Sequence, residues 1–363
     1  MAETSAAAGL TVQQWDDQFF VEHLAENRFA REMGKDENSI IQVKEDLTKK
    51  AGESVTFGLV NALSGAGVTN GATLEGNEEE LDSRSFKLTI AERANGVRSN
   101  KWQSQISSID LRKAAKVALK DWSMENTRDR IITALGSING TAYGSASEAA
   151  KDAWLVDNSD RVLFGSAVGN NASNDHSAAL AEIDNTADQL DSGALSLMKR
   201  LARTAAPKIR PVRDEGLKNG KYFYTCYVPS LVMRDLKSDT AIQQAQREVG
   251  IAMENSRLFD GGDLLWDGII VKEIEDIAVL SGVGAASIDV APVYFCGAQA
   301  LGYGVAERWR SEEELFDYGR KKGCAIMEMG GIEKLTFGSG SADTDDLKDH
   351  GVVTGYFAAV ADS

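Results

Sequence analysis

The chain has 363 residues, 43% hydrophobic and 26% charged, and a formal charge of −16. That length supports one large or two medium domains with a sizeable core, and the acid excess disfavours a sequence-reading binder of nucleic acid, whose affinity rests on phosphate contacts. Apolar runs of a few residues fall far short of the ~20 that a bilayer-spanning helix needs, and three widely spaced cysteines (Cys226, Cys296, Cys324) fit a reducing compartment better than a disulfide scaffold or zinc site.

The opening MAETSAAAGL has no basic stretch followed by an apolar run, so it does not read as a secretory signal. Residues 12–50 show helical periodicity, with Trp15, Phe19, Phe20 and Leu24 near one face and Phe29 and Met33 beyond. Gly34 ends the pattern, and the polar stretch 38–50 runs on, so residues 1–52 read as an extended arm. Residues 53–105 read as one long β-hairpin. Its arms ESVTFGLV and SFKLTIAE alternate with period two, placing Val55, Phe57 and Leu59, then Phe86, Leu88 and Ile90, on one face. The tip, Asn61 to Ser85, is polar and includes Glu78, Glu79 and Glu80. A lone ribbon is marginal in water, and no cover lies next to it in sequence, so the stripe is expected to dock on a neighbouring subunit.

A long helix is expected over 107–135. Ser107 and Asp110 make a capping box, Gly136 stands at the C′ position, and Leu111, Ala115, Ala118, Trp122, Ile132 and Leu135 form an apolar stripe. At about 1.5 Å per residue it is a rod of ~40 Å with Trp122 in the core. Residues 138–190, rich in Gly, Ala, Ser and Asn, read as a loop-rich insertion. A short basic helix (192–205) follows, then the strand KYFYTCYVP, a helix from Ser230 to Glu254, and a strand pair around DGIIVKEI. The last third holds the strand VAPVYFCG, an amphipathic AQALGYGVAERW, and strand-like GCAIMEM and EKLTFGS. Helices and strands do not alternate at βαβ spacing, so the fold class is mixed α+β. Charge is uneven along the chain. Residues 191–222 hold eight Lys or Arg against three acids, whereas 138–190 hold two basic residues against eight acids, and complementary patches of this kind suit lateral association.

Nothing in the sequence marks an active site. His23, His176 and His350 read as separate surface histidines, with no metal-ligand spacing among them or with cysteine. Gly65-x-Gly67 and Gly302-x-Gly304 lack the third glycine and the strand-to-helix setting of a dinucleotide site. Cys226 and Cys324 read as packing cysteines. The acidic runs Glu78–Glu80, Glu312–Glu314 and Asp343-x-Asp345-Asp346 read as solvated acid without calcium-loop spacing. No catalytic, cofactor-binding or metal-binding residue is expected.

The order of parts resembles the major capsid protein of tailed bacteriophages, the Hong Kong 97 fold, in its podophage-type branch. The stretches that carry the resemblance run from Trp15 to Phe337: Asn38-Ser39-Ile40-Ile41; AGESVTF, with Leu74-Glu75-Gly76 in the hairpin tip; YVPSLVMRDLKSD, with Pro229 before a helix; FCGAQAL; and DYGRKKGCAIMEMGGIEKLTF. The resemblance implies an N-terminal arm (1–52), an extended E-loop hairpin (53–105) and the spine helix of a P-domain (106–137). An A-domain with returning P-domain strands would occupy 138–337, and an acidic C-terminal tail without family counterpart 338–363. It implies self-assembly through hexamers and pentamers into an icosahedral virion shell around double-stranded DNA, put together in the host cytoplasm without sequence-specific DNA binding, membrane or cofactor. A portal, a separate scaffolding protein and a decoration protein are the implied partners, and nothing local marks a Lys–Asn cross-link. The residues expected at subunit contacts are Val55, Phe57, Glu75, Phe86, Leu88, Arg200, Arg203 and Arg210. Two rival readings are an encapsulin-like nanocompartment shell and an acidic cytosolic enzyme with a spatially assembled site.

Overall fold

The computed structural model describes residues 29–362 apart from 46–51, 61–66, 70–72, 77, 80–82, 107–110, 172, 215–220, 246–258, 261–262, 341 and 343. The helical reading of 12–28, with Trp15, Phe19, Phe20, His23 and Leu24, lies outside the described residues, as does the Ser107/Asp110 capping box.

Phe29 is buried edge-on against Tyr227, with ring centroids 5.1 Å apart. Strands β1 (Met33–Gly34) and β2 (Ile41–Lys44) follow, and Ile40 and Ile41 are core residues. This corrects the reading of 1–52 as an extended arm: its second half is woven into a sheet. Strands β3 (Ser54–Val60) and β4 (Ser83–Thr89) pair antiparallel with Phe57 opposite Phe86. The return arm then breaks at Ile90 into β5 (Ala91–Asn100), which joins a different sheet, and the short helix α1 (Lys101–Ile106). The predicted hairpin therefore ends at Thr89, short of 105.

Helix α2 (Leu111–Leu135) is the expected rod, with a different buried face. Ala115, Leu119, Ser123, Thr127, Ile131, Ala134 and Leu135 face the core, Ala118 is exposed, and Trp122 is half-buried, edge-on to Trp309 at 5.8 Å. Ser123 and Thr127 tolerate burial because their hydroxyls donate back to carbonyls of their own helix, Lys120 at 2.7 Å and Ser123 at 2.9 Å. Gly136 does cap the rod, donating to the Ile132 carbonyl, yet its φ is not left-handed. A Cβ there would stand 2.6 Å from the Tyr294 hydroxyl oxygen, so close packing is what requires glycine.

Residues 138–190 are folded, against the expectation of a loop-rich insertion. They supply α3 (Glu148–Asp157), β6 (Val162–Phe164) and α4 (His176–Ala181), whose Trp154, Leu155, Phe164 and Leu180 close a core on Tyr356. Their acids fix local backbone. Asp175 caps α4, Asp184 accepts from Thr186 and Ala187, and buried Asp188 accepts from Ser166, Asn170 and Asp184. Helix α5 (Ser192–Thr204), capped by Asp191, buries Leu195, Met198 and Leu201 at three- and four-residue steps. Strands β7 (Val212–Asp214) and β8 (Lys221–Val228) lead to α6 (Ser230–Ser238). The helix expected to run to Glu254 breaks after Ser238 and resumes at 240, and its expected stretch 246–254 lies outside the described residues. The Asp239 carboxylate causes the break by accepting from Ala241 N–H at 3.0 Å and Ser192 N–H at 2.8 Å, as a new N-cap would.

Next come β9 (Phe259–Asp260), β10 (Asp263–Trp266) and β11 (Ile269–Glu273), the last two joined by Asp267-Gly268 with both φ positive, a tight hairpin turn. Strand β12 (Val290–Cys296) is buried throughout. AQALGYGVAERW, read as amphipathic, belongs mostly to the long strand β13 (Leu301–Phe316), which returns as β14 (Lys321–Lys334). The supposed acidic tail holds β15 (Thr336–Gly338, shared with its boundary), β16 (Leu347–Asp349) and β17 (Val352–Ala358), the last of them buried from end to end. This is the largest correction: a mostly apolar run after an acidic loop is an interior strand, paired with β6 on one side and β12 on the other.

Two sheets organise the molecule. One runs β1-β2-β13-β14-β5; the other runs β6-β17-β12-β8-β11-β10-β9, with β7 on β8. Helices α5 and α6 pack with the second sheet around Phe295 and Phe357, while α2 and the first sheet share a core with Tyr227, Tyr294 and Cys296.

Candidate assembly surface

Hairpin β3–β4 rests on its own chain. Val55, Phe57 and Leu88 are buried with Leu335 and Phe337, and Phe86 is half-buried edge-on to Phe337. Three glycines make the seat. Cβ atoms at Gly302 and Gly304 would meet the Phe57 ring at 3.0 Å and Leu88 at 2.9 Å, and one at Gly331 would meet the Thr89 carbonyl oxygen at 2.2 Å. Lys44 donates to the Thr56 carbonyl at 3.0 Å and lies over the Phe57 ring. The expectation that a neighbouring subunit covers Val55, Phe57 and Leu88 is thus corrected. Their cover comes from the last third of the chain, where no adjacent-segment reasoning finds it.

What stays exposed is the far end. Val60, Leu74 and Glu75 lie toward the hairpin tip in solvent. A second apolar patch sits where β5, β14 and β13 end. Asn100 of β5 pairs with Lys321, and the Lys101 N–H donates to the Arg320 carbonyl at 2.9 Å, so α1 starts beside the Asp317–Arg320 turn. Trp102 and Ile106 on α1, with Leu315 and Tyr318 at that turn, are all exposed, Trp102 at 70% and Leu315 at 64%. Exposed apolar clusters of this kind mark interaction sites. Sequence reasoning missed them because Trp102 fell inside a segment read as hairpin and Ile106 at its boundary.

The basic island divides. Arg200 and Arg203 are exposed on α5, whereas Arg210 hydrogen-bonds Gln299 and lies 3.9 Å from Glu37 of the same chain. Glu313, read as solvated acid, clamps β13 to α2 through Arg112 and through Lys116 at 2.8 Å. Two of the histidines are likewise misplaced by sequence: His176 lies buried among Tyr143, Trp154, Phe164 and Tyr356, and His350 is buried against Phe337. Burial pushes each down to about 4, so both are neutral packing groups at pH 7. All three cysteines are buried, and burial raises the thiols of Cys226 and Cys296. Among the described residues no group of three or more His, Cys, Asp or Glu is placed to hold a metal ion, and no described helix is long and apolar enough to cross a membrane.

A surface of exposed ribbon tip and apolar sheet end fits a subunit built to join others. Compared with known proteins, residues 3–361 match the family described as "Phage capsid protein". The chain belongs to that phage capsid family. A curated relative, the major capsid protein of Pseudomonas phage KPP25, is 26% identical over 355 residues, covering 90% of this chain and 89% of the relative. Among solved structures, the cyanophage Pam1 capsid asymmetric unit is similar at 32% identity and a TM-score of 0.82 over 100% of both chains. The capsid of Ralstonia phage GP4 has the same fold at 22% identity and a TM-score of 0.73, covering 93% of this chain and 92% of that one. The mixed helix-and-sheet architecture is therefore the Hong Kong 97-like fold of phage capsids, and this capsid protein is a structural component of the virion shell.

Proposed function

We propose that this capsid protein is the major shell subunit, many copies of which join as hexamers and pentamers and close into an icosahedral shell around double-stranded DNA. In this reading β3–β4 with its tip is the E-loop, α2 is the spine of the P-domain, and the eight-stranded sheet with α3–α6 is the A-domain. The observation that carries it is the patch of Trp102, Ile106, Leu315 and Tyr318, apolar area left in water at the end of the five-stranded sheet. At roughly 25 cal/mol per Å² of apolar surface, covering two large aromatics at every contact supplies a driving force repeated across the shell. The hairpin tip, with Leu74 and Glu75, reaches a second neighbour. Arg200 and Arg203 add a screened electrostatic contact of ~0–1 kcal/mol per pair. A net charge of −16 keeps the lumen from gripping DNA tightly, which suits genome release. A portal, a separate scaffolding protein and a decoration protein complete the particle, and the role is structural throughout.

The test is sedimentation of wild type beside Trp102→Ser/Tyr318→Ser. The double variant is expected to keep native circular dichroism and to lose at least tenfold in shell yield. Equal yield would remove the patch from the assembly contacts. Arg200→Glu/Arg203→Glu in the same run, at low and high salt, reads the electrostatic part separately.

A further inference from the structure

The five-stranded sheet ends on an open flank. Strand β5 pairs with β14 on one side, and among the described residues no strand pairs with it on the other. The opposite end of the sheet is β1, only two residues long, whereas β5 runs for ten, longer than most strands. The Lys101 N–H donates to the Arg320 carbonyl at the end of this ladder, at 2.9 Å, and that sets the alternation. Odd-numbered residues bond β14, and the N–H and C=O groups of Glu92, Ala94, Gly96 and Arg98 point outward. The Gly96 N–H accordingly donates to Asn95 Oδ1 at 2.8 Å, a local substitute for a strand partner. All four outward residues are exposed, and no proline interrupts the row of donors.

An edge of this length is a template for another strand, and the sequence of β5 suits its own copy best. Two copies paired antiparallel about Asn95 set Glu92 opposite Arg98 at both ends, with Ala94 opposite Gly96 between them. Moving the centre to Ala94 or to Gly96 loses both ion pairs, and a centre between Asn95 and Gly96 sets Arg93 opposite Arg98. Opposite charges facing each other across strands stabilise a pairing and like charges oppose it. We propose that β5 is a self-pairing edge, through which two copies of this chain join antiparallel about Asn95 and make one continuous sheet of their two five-stranded sheets. The contact deepens the shell reading and rests on it for its place: having a two-fold axis, it ties one hexamer or pentamer to the next rather than copies within a ring.

Oxidation of Asn95→Cys chains tests it, on concentrated subunits and on assembled particles, with covalent dimer read on a non-reducing gel. Facing residues that exchange no hydrogen bonds stand about 4.5 Å apart between Cα atoms, within disulfide reach. Val97→Cys is the control, since its own copy would lie four residues, roughly 13 Å, along the partner strand. The native cysteines are buried and give no background. Asn95→Cys should give at least tenfold more dimer than Val97→Cys. Adding Glu92→Arg or Arg98→Glu to it should cut that yield, and adding both should restore it. Positions 92 and 98 lie about 20 Å apart along one strand, so the rescue reads a contact between copies. It also separates that contact from the Phe316 ring, which Arg98 covers at 4.0 Å. Equal dimer from the two cysteine chains in both samples, or a combined variant no better than the single ones, overturns the proposal. Particles that close with no such dimer overturn the pairing and leave the shell reading standing. Dimer from a chain that never forms particles supports the pairing and counts against the shell.

Discussion

Gly331→Val is expected to unseat the hairpin and to cost roughly 5 kcal/mol of stability, the sum of two or three apolar side chains returned to water. A Cβ at this position stands 2.2 Å from the Thr89 carbonyl oxygen and 2.7 Å from the Leu88 side chain. The first contact sets a Cβ, whose position the backbone fixes, against a backbone carbonyl, which no rotamer change relieves, so either β14 or β4 must move. Moving β4 lifts Leu88, Val55 and Phe57 off Leu335 and Phe337, and each such side chain contributes about 1.5–3 kcal/mol when fully buried. Gly58→Ala on β3 is the matched control, because its Cβ meets nothing within 4 Å and its φ is not left-handed. Denaturant midpoints and protease cleavage within 54–90 read the difference. A Gly331→Val chain that behaves like Gly58→Ala would mean the hairpin does not rest on these strands.

Asp349→Ala should destabilise the subunit by about 3–5 kcal/mol, the cost of leaving a buried charge without its partner. Lys334 at the end of β14 and Asp349 on β16 form an ion pair at 2.7 Å with each side chain only 1% exposed. The same carboxylate accepts from Trp154 Nε1 at 3.2 Å, and the Asp349 backbone is held by Asn158 and by the fully buried Arg161. One residue thus ties the five-stranded sheet to α3 and, through Arg161, to the Ala206 carbonyl at 3.0 Å. Removing it strands the Lys334 ammonium, which also lies over the Trp154 ring at 5.3 Å. The double variant Lys334→Met/Asp349→Leu is expected to recover most of the loss, since no charge is then left behind. Thermal unfolding of the two variants side by side checks this. If Asp349→Ala costs no more than an ordinary surface substitution, about 0.5 kcal/mol, the pair is reached by water.

Much of the architecture was legible because the local signals are strong. Alternation in 54–59 and 86–90 marked the ribbon, the rod of α2 showed in its length, and α5 was expected as a short basic helix over 192–205. The failures have specific causes. The buried face of α2 passes through Ser123 and Thr127, whose hydroxyls satisfy themselves on the helix, so apolar periodicity pointed to Ala118 and Trp122. Residues 138–190 scatter their large side chains among Gly, Ala, Ser and Asn, yet Ile138, Trp154, Leu155, Val162, Phe164 and Leu180 meet in one core. VVTGYFA was hidden behind ADTDDLKDH, although a short, mostly apolar run rich in β-branched and aromatic residues fits a strand covered on both faces. The hairpin's seat is made of Gly302, Gly304 and Gly331, residues without side chains to contribute to a pattern. Of the expected contact residues, Val55, Phe57 and Leu88 proved internal, while Trp102, Ile106, Leu315 and Tyr318 came to light only when the fold brought α1 beside the β13–β14 turn.

Electron microscopy of the purified full chain, at low and at high salt, tests the central claim most directly. The account predicts closed icosahedral particles of uniform diameter, in whose subunit density α2 and the β5–β14–β13 end can be traced, with Trp102 and Tyr318 covered by an adjacent copy. A chain that stays monomeric under both conditions, or particles in which Trp102 and Tyr318 face solvent, would contradict it.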